Sequence, residues 1–453
     1  MTAPCRLPDA PIMPPRPAAL PADASPLAAL SRALDNPLAA APEAAFQEAT
    51  VSFRVLVRRV HYVLAPNLIE QVLRNRAGHY GKSRLQERLL GPLIGNGLLA
   101  SEGEGWRKRR LLLAPLFRPA AVAERTAEIT AVFHDLLDGW GREAAVRDAD
   151  KVFRPAVFRL IARLAGGEAM ATRSAELYEA LETYLEIMGK PDLGDALMLP
   201  PWVPKRGMLR ARRAVGRLRA LIRDVVETPR AADGSVLSLL RGEETSSVID
   251  EMATLLFAGH EATASAIAWT LYLLSLDQAA QARVRAELNS YDPAAFPSGA
   301  PALATWTGRV ITESLRLYPP SLVMARDSRL DHTLGDAHIA KGDTLLISPW
   351  VTHRHLAVWQ EPDRFRPARF WRNPLHPEEI GPHRFAHIPF GGGPHVCLGA
   401  VLADLIIRIA LREVLRRYRV ESVASAVISP VARITLRADS GLPLCFRARP
   451  RSV

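Results

Sequence analysis

Three consecutive glycines, a lone cysteine and a further glycine make up the run Pro389-Phe390-Gly391-Gly392-Gly393-Pro394-His395-Val396-Cys397-Leu398-Gly399. An apolar stretch studded with arginines, Val401 to Arg419, follows it and predicts a helix. Cys397 therefore stands on a tight loop that feeds a helix N-terminus. Free backbone N–H groups and the positive end of the helix dipole gather at such a place. That setting lowers a thiol pKa and stabilises the thiolate. Glycines let backbone approach a large flat ligand and donate hydrogen bonds to sulfur. A thiolate held in this way can ligate a haem iron. The bland alternative is a buried structural cysteine, which is what most free cysteines are.

Three other groups could do chemistry. Ala258-Gly259-His260-Glu261-Ala262-Thr263 lies in the middle of the long apolar run Met252 to Leu276. A carboxylate there is either a proton-handling group or a satisfied core acid, and burying it without purpose is costly. Trp106 and Arg110, at i and i+4, share one helix face. Alone they read as a solvated basic helix end, yet an arginine fork also binds a carboxylate in two-point fashion. Glu313 and Arg316 form an E-x-x-R pair on one helix face, by itself a commonplace surface ion pair.

The order Phe390, Gly393, His395, Cys397, Gly399 fits F-x-x-G-x-[R/H]-x-C-x-G and resembles the haem-binding signature of the cytochrome P450 family. The other groups resemble family motifs in family order. Ala258 to Ala262 is similar to the oxygen-activation motif [A/G]-G-x-[D/E]-T, with Ala262 where the family usually has threonine. Phe365-Arg366-Pro367-Ala368-Arg369-Phe370 resembles the P-E-R-F box, with Ala368 in place of glutamate.

The resemblance covers about residues 45 to 447. It implies a single, mainly helical triangular prism with a small β-rich lobe. Haem b, iron protoporphyrin IX, would lie between the long central helix and the loop of Cys397, its axial ligand. It further implies that Trp106, Arg110 and Arg326 meet the haem propionates, and that Ala258, Gly259, Phe390, Gly391, His395 and Gly399 border the haem. Glu261, Ala262 and Thr263 would form or replace the proton relay. Leu89, Leu90, Ile94, Ser321, Leu322, Val323, Met324 and Leu436 would line the substrate pocket. Glu313, Arg316 and Arg369 would form a buried structural network, since three charges with mutual hydrogen bonds can stay buried where one could not.

The implied activity is insertion of one oxygen atom of O2 into a C–H bond of an apolar small molecule. No G-x-G-x-x-G after a strand and no cysteine cluster is present, so electrons must come from a ferredoxin or flavodoxin with its NAD(P)H-dependent reductase. Lys108, Arg109, Arg408 and Arg412 are expected on the docking face for an acidic partner. Ala262 keeps open a peroxide-driven or redox-neutral haem-thiolate enzyme. A haem-based sensor or gas carrier is a further alternative, which Glu261 and the aliphatic pocket candidates argue against.

The elements that must position these residues follow from pattern. Met1 to about Pro26 is rich in proline and alanine and reads as a flexible arm, with one domain over 27–453. Ser52 to Leu64 suits a strand pair, and Asn67 to Leu73 an amphipathic helix. Gly78 to Leu99 reads as irregular, a loop over the pocket in the resembled family. Helical patterns run from Ala120 to Met188, broken near Gly139-Trp140-Gly141 and at Gly166-Gly167. The segment around Pro200, Pro201, Trp202 and Pro204 reads as a lid connection, Arg210 to Val226 as a basic amphipathic helix, and Thr228 to Ser247 as a surface linker. Ser247 to Asp250 predicts a capping box opening the central helix. Leu303 to Leu317 predicts a helix stopped by Pro319-Pro320.

The 453 residues carry a net charge of +11, mostly through arginine, which fits a solvated surface or an acidic partner. No basic–aromatic alternation points to nucleic acid. Three scattered cysteines exclude a disulfide framework and suit a reducing cytoplasm. No early segment could anchor the chain in a membrane. A soluble, bacterial-type, monomeric member of the resembled family is expected.

Overall fold

The computed structural model describes residues 11–55, 58–141, 143–190, 192–196, 203, 205–228, 233–290, 303–370 and 383–450. The expectations for Pro200, Pro201, Trp202 and Pro204 fall outside them. The described chain is mainly helical with small sheets.

The central helix, Thr245–Leu276, has 32 residues and so spans about 48 Å. Its apolar side chains point in every direction, which is stable only inside a shell of other helices. That shell comprises Arg154–Thr172, Met208–Glu227, Trp306–Leu317 and Ala400–Arg417. The predicted capping box does not form. The helix starts at Thr245, and the Ser247 hydroxyl accepts a hydrogen bond from Arg109 Nη2. Asp250 is used instead to tie down a neighbouring loop. Its carboxylate accepts from Asn96 N–H at 2.8 Å and from Arg219.

That loop follows a helix, Arg84–Ile94, in the stretch expected to be irregular. Gly91 and Pro92 suggest a break, but Leu89/Leu93 and Leu90/Ile94 keep i, i+4 spacing. The buried members Leu93 and Ile94 hold the helix against the core. The loop beyond passes so close to the central helix that a Cβ on Gly97 would stand 2.0 Å from Thr254 Oγ1.

The main sheet has five strands in the order Thr50–Val55, Arg58–Val63, Thr344–Ile347, Met324–Ser328, Tyr80–Lys82. Arg58–Val63 and Thr344–Ile347 are parallel, and the other neighbours are antiparallel. The last pairing places Lys82 opposite Arg326. The hairpin Pro430–Ala432/Leu436–Ala438 reaches back to the central helix, where Ser265 Oγ donates to Leu436 O at 2.9 Å. Of the proline-rich arm, residues 12–20 lie along the body. Phe365 N–H donates to Ile12 O, the Tyr318 hydroxyl to Pro15 O, and Arg16 pairs with Asp363.

Candidate active site

The cysteine loop is fixed by its own backbone. Cys397 N–H donates to Phe390 O at 2.9 Å, and Gly391 N–H to Ile388 O. Gly391 and Gly393 sit at φ +73° and +68°, where a side chain is strained. A Cβ on Gly393 would meet Leu73 O at 2.2 Å, and one on Gly392 the Phe385 ring at 2.5 Å. These two glycines therefore seat the loop against the helix Pro66–Arg74 and the Phe385 ring, rather than opening it to a ligand as the sequence suggested. Gly399, just before the helix Ala400–Arg417, has only Phe117 within 4 Å of its missing Cβ.

Cys397 retains accessible surface although it lies within the protein. Burial pushes its thiol pKa up, and the Gly399 N–H and Arg110 pull the other way without prevailing. The expectation that the helix N-terminus alone would favour the thiolate is thus corrected. Desolvation outweighs the dipole, and a bound metal cation would have to supply the missing charge.

The central helix also carries bare surface inside the molecule. Leu255, Ala258, Gly259 and Ala262 keep accessible area at i, i+3, i+4 and i+7, while their neighbours are buried. Gly259 additionally makes room for the Ile161 side chain, which a Cβ would press at 3.0 Å. Thr263 lies on the flank of this stripe, and its hydroxyl donates to Gly259 O at 2.8 Å. His260 and Glu261 point away from it and are fully buried. Glu261 Oε1 is held by Arg437 Nε at 2.8 Å and by Arg154 Nη1 at 3.2 Å. Burial would raise the Glu261 pKa, but Arg437, Arg154 and His260 outweigh it and bring it to about 2.

A cleft of about 500 Å³ opens beside the cysteine loop, lined by Tyr80, Glu102, Trp106, Arg326 and His395 among others. The Trp106 and His395 rings lie 4.1 Å apart, and Arg110 stands over Trp106 at 5.6 Å. Here cations exceed anions. Lys82 faces Arg326 across the sheet, and like charges directly opposite each other are destabilising. Burial and Arg326 lower the Lys82 pKa to about 8, against Glu102. Burial, Lys82, Arg326 and Arg110 lower that of His395 to about 4. Two carboxylates placed here would relieve the excess, and a haem carries two. With the accessible Cys397 and the bare helix stripe, the residues fit that group. Lys82 was missed in the sequence, where nothing marks it. Only the register of Tyr80–Lys82 against Met324–Ser328 brings it to Arg326.

On the far side Glu313, Arg316 and Arg369 meet. Arg316 donates to both Glu313 oxygens at 2.7 and 2.9 Å, and Arg369 Nε to Oε1 at 3.0 Å. The pocket candidates divide. Ser321 and Val323 are exposed, and Leu89, Leu90 and Met324 partly so. Ile94, Leu322 and Leu436 are packed into the core and back the wall rather than face open space. The expected docking cations also change. Arg408 and Arg412 are buried and paired with Asp404 and Glu413, and Arg109 is tied to Ser247. Arg107, Lys108 and Arg118 are the exposed cations on and just beyond the helix that carries Trp106.

The cytochrome P450 family model matches residues 43–438. Cyclooctatin synthase of Streptomyces melanosporofaciens is 30% identical over 417 residues, covering 88% of each chain. The human mitochondrial 25-hydroxyvitamin D-1 alpha hydroxylase is 30% identical over 434 residues, 86% of this chain and 84% of that protein. The crystal structure of CYP175A1 from Thermus thermophilus superposes with a TM-score of 0.72 at 26% identity, covering 95% of this chain and 100% of that one. The fold and site thus define a haem-thiolate protein. The chain belongs to the cytochrome P450 family and is a monooxygenase of that family.

Proposed function

We propose that this chain inserts one oxygen atom of O2 into a C–H bond of a large, mostly hydrocarbon alcohol, with electrons from a separate ferredoxin or flavodoxin system. The observation that carries the reading is the pairing of an accessible Cys397 with the bare stripe Leu255, Ala258, Gly259, Ala262 on an otherwise buried helix. Haem ligated by a cysteine thiolate supplies activation of dioxygen. The chain's own residues do the rest. Trp106, Arg110, Arg326, His395 and Lys82 hold the two haem carboxylates. Ala258 keeps the helix close without filling the space. Leu89, Leu90, Val323 and Met324 orient an apolar substrate and exclude water.

Ala262 offers no hydroxyl to the cavity, and that of Thr263 is engaged with Gly259 O. Glu261 is turned away into an ion cluster. A hydroxyl carried by the substrate fills this gap. Cyclooctat-9-en-7-ol 5-monooxygenase of Streptomyces melanosporofaciens, 28% identical over 403 residues, and the vitamin D hydroxylase both carry the name of a hydroxylated substrate. The exposed Arg107, Lys108 and Arg118 give an acidic redox partner a basic face to meet.

The test is Cys397→Ser. The wild type, reduced and exposed to carbon monoxide, should show the red-shifted band of a thiolate-ligated haem. The variant should lose it, and a band that survives the substitution would sink the reading.

A further inference from the structure

Behind the central helix lies a cluster of buried charges whose balance is incomplete. Asp150 and Glu261 pair with Arg154, Glu261 also pairs with Arg437, and Glu182 reaches both arginines. Three carboxylates against two guanidinium groups leave one negative charge inside the protein, which is costly unless neutralised. Among the described residues the Tyr178 phenol and His260 also belong to it, His260 packing edge-on to the Phe158 and Tyr178 rings, while the nearby Asp148 pairs outward with Lys151.

His260 Nδ1 lies 2.6 Å from Leu256 O. A carbonyl only accepts, so Nδ1 carries a hydrogen, and in a neutral ring Nε2 would be a bare acceptor. Yet Nε2 faces Glu182 Oε1 at 3.7 Å, and neither atom has a hydrogen-bond partner among the described residues. Two bare acceptors turned on each other in a low dielectric repel. A bridging water does not fit either, because one bent molecule donating to both atoms would hold them roughly 4.4 Å apart. A proton between the two atoms turns this repulsion into an ion pair and brings the cluster to neutrality.

We propose that His260 is held as an imidazolium and, with Glu182, stores the proton on which Glu261 draws. The role in turnover rests on the monooxygenase reading, whereas the protonation itself does not. Glu182 is the solvent end of this store, with 16% of its side chain exposed, and His260 is wholly enclosed. Glu261 Oε2, buried and without a hydrogen-bond partner among the described residues, is the free acceptor at the inner end. When the proton leaves Nε2 the ring becomes neutral, and one from solvent replaces it through Glu182.

Nitrogen-15 NMR of histidine-labelled protein, haem-loaded, reduced and bound to carbon monoxide, reads the protonation directly. At pH 7 the ring in contact with Phe158 and Tyr178 should show two N–H groups. That signal should vanish in His260→Phe and fall to one N–H in Glu182→Gln. A single N–H at Nδ1 in the wild type would overturn the proposal even if neither variant folds. The second measurement is NADPH oxidation with ferredoxin and its reductase, without added substrate, in light and heavy water. His260→Phe keeps the ring packing, and its solvent isotope effect should be at least about twofold larger because proton supply becomes limiting. An unchanged effect in the haem-loaded variant overturns the storage role. Failure of the wild type to give the shifted carbon monoxide band would count against the haem reading alone.

Discussion

Ala262 is the residue on which the proposed proton path turns. Its side chain belongs to the bare stripe of the central helix, so added atoms there would enter open space rather than the core. Thr263 is about 100° further around the helix and is bound to Gly259 O. Removing its hydroxyl should matter little, whereas Glu261→Gln should slow proton delivery strongly. If the substrate hydroxyl completes the path, an analogue lacking it should divert reducing equivalents to peroxide, and Ala262→Thr should reduce that leak. Product formed per NAD(P)H consumed measures both effects. Full coupling in Glu261→Gln, or collapse of coupling in Thr263→Ala, would place the path elsewhere.

At the scale of elements, Glu313 joins the helix Trp306–Leu317 to the segment that carries Arg366 and Arg369. Burial raises its pKa, but Arg316, Arg369 and the Arg366 N–H outweigh that and lower it. A carboxyl whose folded pKa is depressed stabilises the fold above its unfolded value of about 4.3, and that contribution fades as pH falls through the folded value. Glu313→Gln should therefore lose haem less steeply than the wild type on acidification below about pH 4. Glu313→Ala removes one partner of a buried network, at a cost of about 3–5 kcal/mol, and should give haem-free or insoluble protein. A soluble, haem-loaded and merely slow Glu313→Ala enzyme would contradict this. These charges were legible in the sequence because E-x-x-R and the later arginine stand at recognisable spacings on strongly patterned elements. The helix Arg84–Ile94 was not, because Gly91 and Pro92 mask a periodicity that tertiary packing restores. Lys82 and Arg437 were illegible for another reason. Each acts through a strand pairing or hairpin position that joins residues far apart in the chain, and local pattern carries no trace of such contacts. Arg408 and Arg412 erred in the opposite direction. Their helix spacing is as expected, but acids on the same helix draw them out of solvent.

At the scale of the whole molecule, the cavity is closed by pieces from distant parts of the chain. The loop after Ile94 and the hairpin carrying Arg437 press on the central helix, Met324 stands against the cysteine loop, and Lys82 faces Arg326 across the sheet. The N-terminal segment backs this assembly from outside. Ile12 O and Pro15 O accept hydrogen bonds from Phe365 and Tyr318, and Arg16 pairs with Asp363, which also holds the buried Arg354. Tyr318 in turn stacks on Trp269 of the central helix at 4.0 Å. A segment with no regular structure thus touches the central helix through one intervening ring. Each hydrogen bond contributes about 1 kcal/mol, and the partly exposed Arg16 pair at most about the same. Removing residues 1–16 should therefore lower stability by at least about 2–3 kcal/mol, read as an earlier denaturant midpoint for haem release. Tyr318→Phe, which loses the bond to Pro15 but keeps the stacking, should show about a third of that loss. A truncated protein with an unchanged midpoint would mean that the segment lies on the body without supporting it.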